Sequence, residues 1–205
     1  MACLLAVLPA GRGQTLLFGN FSDLGGSSSH SPDYLLGSSI DVTQTVTLED
    51  AGIIFRTTGY EGEVAVYTDN SGLPGQLIAS TGPFAVSTTG PTLIPFTSTP
   101  LLSPGNYWFM AVFDNGASVG FTSNTTALVA YQSFVFGSAL PTTFGSPITY
   151  TGQAFNYYFV TVPEPSTVAL VALGGAIVVA GMRGRRFAGA LTRARVPCGW
   201  RRNGS

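Results

Sequence analysis

Charge is what this sequence has least of. Only 9% of its 205 residues are Asp, Glu, Lys or Arg, against about 25% in ordinary soluble domains. Lysine is missing, histidine occurs once, and the two cysteines, Cys3 and Cys198, stand at the two extremes. With no cysteine between Gln14 and Val162, a disulfide framework or a cysteine-based metal site is excluded there. A single histidine supports neither a His-rich metal site nor a Cys–His pair. No G-x-S-x-G elbow accompanies it to suggest a Ser–His–Asp set. Helical periodicity is also lacking, since no long segment before Val168 repeats at 3.6 residues.

Gly, Ser, Thr and aromatic residues fill the space that charge leaves. Low charge without low hydrophobicity is not the composition of a disordered chain. The length allows one ordinary domain plus terminal signals. The few charges are sharply divided. Every Asp and Glu lies at or before Glu164. Of the nine arginines, only Arg12 and Arg56 precede that point, while Arg183, Arg185, Arg186, Arg193, Arg195, Arg201 and Arg202 follow it. An acidic body repels phosphates, so no nucleic-acid partner is expected. Arginines beyond an apolar run instead orient a membrane segment.

The first residues, "MACLLAVLPAGRG", place a short apolar stretch, Cys3 to Leu8, before Pro9 and small residues. Two readings fit: a plain apolar N-terminus, or a signal peptide over residues 1–13 whose basic start lies upstream. The second is the expectation. Cys3 precedes the apolar core, the wrong side for a lipid anchor.

From 14 to 162 the chain alternates short apolar runs with Gly, Pro, Asn, Asp and Ser. "TQTVTLEDAGIIF" predicts one or two strands broken near Asp50–Gly52. "EVAVYT", the turn "DNSGLPG" and "QLIAS" predict a β-hairpin, with Gly72 and Gly75 permitting positive φ. Tyr107 to Phe113 is apolar on both faces, as in a central strand covered on both sides. Further strands are expected at Thr92–Phe96, Val119–Thr122, Leu128–Phe136 and Phe155–Val162. Eight to ten short strands at this spacing indicate an all-β fold, an antiparallel β-sandwich of jelly-roll type.

Few residues in this body carry chemistry. His30 lies in the polar run "GGSSSHSPD" and reads as a solvated loop histidine. Glu61 and Glu63 share a strand face, as paired carboxylates do in glycoside hydrolysis, but at a turn-to-strand junction they serve to keep an edge soluble. "DNSG" at Asp69–Gly72 offers oxygen ligands to calcium without the closing glutamate of an EF-hand. A plain turn is the expectation there. Trp108 belongs in a core. No catalytic residue, cofactor or metal is assigned.

The C-terminal segment, "VPEPSTVALVALGGAIVVAGMRGRRF", is different. Residues 166–182 carry no charge and, as a helix, would span roughly 25 Å, slightly short of a hydrocarbon core near 30 Å. A soluble helix keeps a polar face, and this run has none. It is expected to enter the membrane as a marginal transmembrane helix. Ala172, Ala176 and Ala180 recur every fourth residue, a spacing that chance explains. Pro163 and Pro165 are expected to forbid regular helix or sheet pairing and to hold Glu164 in an extended backbone.

These residues resemble the PEP-CTERM sorting signal of exported bacterial proteins, recognised by the membrane enzyme exosortase. Pro163, Glu164 and Pro165 match the signature, Ser166 and Thr167 its usual followers, Val168 to Met182 the helix, and Arg183, Arg185 and Arg186 the basic stop. The basic tail 188–205 runs on past the point where the signal usually ends, as an unselected extension would. The body also resembles β-sandwich ectodomains that travel with such signals, through "VYTDNSGLPGQLIAS" and "LSPGNYWFMAVF". The resemblance implies export through the Sec machinery and a transient anchor in the inner membrane over residues 166–182. Exosortase then processes the chain near Pro163–Pro165 and releases it to the cell surface or extracellular matrix. The expected role is non-catalytic, structural or adhesive. The alternatives are a carbohydrate-binding module for exopolysaccharide, or an extracellular hydrolase that lacks a recognisable catalytic set. The expected layout is a signal peptide over 1–13, a β-domain over 14–162, a sorting signal over 163–187 and a tail over 188–205.

Overall fold

The structure, a computed structural model, describes residues 15–163. The chain divides into two units, Met1–Glu164 and Pro165–Ser205, and the second lies outside the described residues, as does the expected transmembrane helix. Thirteen strands follow one another among the described residues: β1 (Leu16–Gly19), β2 (Gly26–His30), β3 (Tyr34–Val42), β4 (Val46–Phe55), β5 (Tyr60–Asp69), β6 (Pro74–Ser80), β7 (Phe84–Val86), β8 (Gly90–Pro95), β9 (Leu101–Leu102), β10 (Gly105–Phe113), β11 (Ala117–Ser133), β12 (Ile148–Phe155) and β13 (Tyr157–Pro163). All pairings are antiparallel, and no helix occurs among these residues.

The hydrogen-bonded path runs β1-β13-β4-β11-β3-β10-β5-β6, with β2 and β12 beside β11, β7 beside β5, and β8 and β9 beside β4. This sheet folds over on itself into a sandwich. Phe109 of β10 stacks on Tyr157 of β13 at 4.8 Å between ring centroids, although the two strands share no hydrogen bond. Phe55 of β4 meets Phe113 of β10 edge-on at 6.1 Å. Such contacts between unpaired strands are made face to face across a core, at the ~10 Å spacing of packed sheets.

β10 is covered on both sides, as its unbroken apolar run predicts. Phe109, Ala111 and Phe113 point into the main core. Trp108, Met110 and Val112 point the other way, into a second cluster closed by Phe134, Phe136, Leu140 and Phe144. Residues 134–147, between β11 and β12, therefore form an apolar cover over the outer face. Amide bonds fix this cover, Leu77 N donating to Thr142 O and Phe144 N to Gly75 O, both at 2.9 Å.

Three local readings are corrected. β4 is unbroken through Asp50–Gly52. Its irregularity is a register shift opposite Val160/Thr161, and Gly52 is required because a Cβ would collide with the Tyr158 ring. The segments expected at Val119–Thr122 and Leu128–Phe136 belong to one strand, β11, whose irregularity lies between Ser123 and Leu128. In the β5–β6 hairpin, positive φ falls on Ser71 (56°) and Gly72 (82°). Gly75 is small for another reason: a Cβ there would stand 2.7 Å from Thr68 Oγ1.

Asn156 joins β12, which pairs with β11, to β13, which pairs with β4. It is fully buried. Its backbone N–H donates to Gly120 O at 2.8 Å, and its carbonyl accepts from Ile54 N at 3.3 Å. Its side-chain amide donates to the Asn20 and Ser22 carbonyls at 2.8 and 2.6 Å, and its Oδ1 accepts from Leu24 N at 3.1 Å. Asn20 reciprocates, its amide donating to Phe155 O at 2.9 Å. Arg56, the sole lysine or arginine among residues 15–163, clamps the same loop by donating to Asp23 and to Gly26 O. The hydrogen bond from Arg56, and then that from Gly25 N–H, lower the Asp23 pKa to about 2.

Candidate functional site

β13 leads directly into the C-terminal signal. It runs between β1 and β4, with Thr161 paired to Leu16 on one side and Leu48 on the other. The alternation of "YYFVTV" suits this place, because Phe159 and Tyr157 fill the main core. Thr161 is fully buried, and its hydroxyl donates to Leu16 O at 3.2 Å. Val162 and Pro163 still pair with Thr47 and Val46. The expectation that Pro163 resists sheet pairing is thus corrected. At a strand terminus its missing N–H costs no ladder bond. Glu164, Pro165 and the basic Arg183, Arg185 and Arg186 lie outside the described residues.

Residues 161–186 match the PEP-CTERM protein-sorting motif. The chain carries a PEP-CTERM sorting signal. A signal of this kind marks an exported protein, transiently anchored in the membrane, for sorting by exosortase. Its first matched residue, Thr161, is inside β13, so the PEP-CTERM segment starts within the folded domain. No helix among the described residues is long and apolar enough to cross a membrane, and the span 166–182 is outside them. No curated protein matches the chain. Among solved structures, "Structure of infectious bursal disease virus Gt strain" is similar at 13% identity with a TM-score of 0.35, over 76% of this chain and 43% of that one. The chain thus spans less than half of that protein's length, and a likeness at this level carries no argument.

The remaining sequence candidates are scattered. His30 is the clearest correction: it is not solvated. It ends β2, is 1% exposed, and meets Phe113 edge-on at 4.9 Å. Its Nδ1 lies 3.2 Å from Ser31 O, and its Nε2 has no hydrogen-bond partner. Burial lowers its pKa to about 4, against the opposing pull of nearby backbone groups. A polar run hid this position, because β2 packs beside β11 and turns one ring inward.

Glu61 and Glu63 are not at an edge, since β5 lies between β10 and the β6 and β7 strands. Glu63 is buried in a groove that Leu77 and Leu140 also line, and desolvation raises its pKa. Burial, and then the charge of Glu63, push the Tyr67 phenol well up. Asp69 is committed to the turn. Trp108 Nε1 donates to its Oδ1 at 2.9 Å, and Gly72 N to its Oδ2 at 3.0 Å. Trp108 itself is fully buried, as predicted. Among the described residues no three His, Cys, Asp or Glu gather as metal ligands.

Sequence reading missed one surface feature. Tyr34, Tyr131 and Tyr150 lie on three adjacent strands, β3, β11 and β12. Their rings follow one another at 5.8 and 6.0 Å between centroids. With Ser29, Ser31 and Leu36 they line an open groove of about 350 Å³. These residues are up to 121 positions apart in the chain, so only the strand pairing brings them together.

Proposed function

We propose that this is an exported surface or matrix protein, delivered through the Sec machinery and cut by exosortase near Pro163–Pro165, whose mature β-domain is non-catalytic. The observation that carries the reading is the overlap of the PEP-CTERM motif with β13. The processing segment follows the domain without a linker, so a folded unit is handed over whole. A structural or adhesive role suits a body in which the buried Asn156 and the partly buried Asp69 are spent on local backbone and turn hydrogen bonds.

The test replaces Pro163, Glu164 and Pro165 with alanine. Export and membrane insertion remain, while the protein accumulates as a membrane-bound, full-length form in cells that release the parent as a shorter product. Equal release of parent and variant overturns the reading. A second reading, binding of exopolysaccharide by the mature domain, is favoured by the tyrosine groove.

A further inference from the structure

We propose that the groove of Tyr34, Tyr131 and Tyr150 is a binding site for an uncharged saccharide chain. This rests on the exopolysaccharide-binding reading and names its site and the class of sugar.

A pyranose ring offers a face of C–H groups and a rim of hydroxyls. It is held by an aromatic face with hydrogen-bonding groups beside it. The groove supplies both. Tyrosine gives a large amphipathic contact surface with little side-chain freedom to lose. Three such rings cross three neighbouring strands in a row, which suits a chain of sugar units better than a single one. The row is built to stay in place. Tyr150 is half-buried against the main core, and its hydroxyl is 2.8 Å from Gln153 Oε1. Asp33, at φ 58°, accepts from Phe134 N at 2.8 Å and from Phe136 N at 3.3 Å, tying the start of β3 to the end of β11. By contrast, the hydroxyls of Ser29, Ser31, Tyr34 and Tyr131 make no hydrogen bond to any described residue. They line an open groove near the small end of the ~300–1,000 Å³ range of ligand sites.

Charge selects the class. No lining residue is ionic, and residues 15–163 carry one arginine against nine carboxylates. A uronate or sulfated chain would approach a predominantly acidic domain with no cation in the groove lining to meet it. An uncharged hexose polymer meets no such penalty.

The experiment uses the full chain in a polyoxyethylene detergent, which presents no sugar to compete. Calorimetric titrations employ maltohexaose, cellohexaose and laminarihexaose, with oligogalacturonate as the charged counterpart. At least one uncharged oligosaccharide binds in a manner that Tyr34→Ala weakens, whereas any oligogalacturonate held by the arginines at 183–202 is bound equally by parent and Tyr34→Ala. Tyr34→Ala, at a 38% exposed ring, weakens binding about tenfold. Tyr34→Phe and Tyr131→Phe, which keep the rings, weaken it only a few-fold. Leu93→Ala, at an exposed site on β8, leaves it unchanged. Binding that survives both the Tyr34→Ala and Tyr131→Phe changes in full overturns the groove while leaving saccharide binding in place. Failure of every uncharged probe overturns both, and oligogalacturonate binding that Tyr34→Ala weakens overturns the charge selection.

Discussion

Replacing Asn156 with alanine removes three part-buried hydrogen bonds at once. The side chain holds Asn20 O, Ser22 O and Leu24 N at 2.8, 2.6 and 3.1 Å. Each such bond contributes about 0.5–1.5 kcal/mol net, more where the abandoned partner stays dry. The loop partners are partly exposed, so water can reach some of them. A loss of about 2–4 kcal/mol follows. For a domain near 150 residues this lowers the melting temperature by about 5–15 °C. Asn156→Asp is worse at neutral pH, because an ionised oxygen replaces the donor aimed at two carbonyls. Its folded-state pKa is therefore raised, and stability returns as pH falls and a proton restores a donor. Thermal melts followed by circular dichroism measure the first effect, and hydrogen exchange at the Leu24 amide locates it. An alanine variant that melts within a degree of the parent, with Leu24 still protected, refutes the reasoning.

His30 is held neutral with a pKa of about 4, below the ordinary 6.5, so the unfolded chain binds the extra proton. The His30 contribution to stability is therefore level above pH 6.5 and falls as the pH drops toward about 4, by up to about 3 kcal/mol. Urea titrations across that range show the slope, and His30→Phe flattens its histidine part. A Cβ at Gly37 would drive into the Phe109 carbonyl, so Gly37→Ala costs more than ~3 kcal/mol. Gly116→Ala, in open space, stays within ~0.5 kcal/mol in the same denaturation assay.

The all-β antiparallel class was legible because its signals are local. Turn chemistry at Asp69–Gly72 and the apolar run of β10 each act over a few residues. What was hidden depends on partners far along the chain. β2 read as a polar loop because of its serines, and β3 was not among the expected strands. Yet Gly37 must be small for β10 to approach, just as Gly52 must be small to admit the Tyr158 ring. His30 looked solvated for the same reason, its burial being supplied by Phe113 across the fold. The PEP-CTERM signal is a linear code and was readable as a motif, matched over residues 161–186, whereas the tyrosine groove exists only once β3, β11 and β12 pair.

The position of β13 also sets a clock. Its partners are β1, near the start of the described chain, and β4, and the β1 pairing joins residues 145 apart. Contacts of such sequence separation form late, after the chain between them is available. A chain emerging N-terminus first holds β1 and one face of β4 without their partner until Tyr157–Pro163 arrives, so no shorter product closes the core around Phe109 and Tyr157. Because Thr161–Pro163 also open the sorting motif, the last strand that completes the domain and the first residues of its address reach the far side of the membrane together.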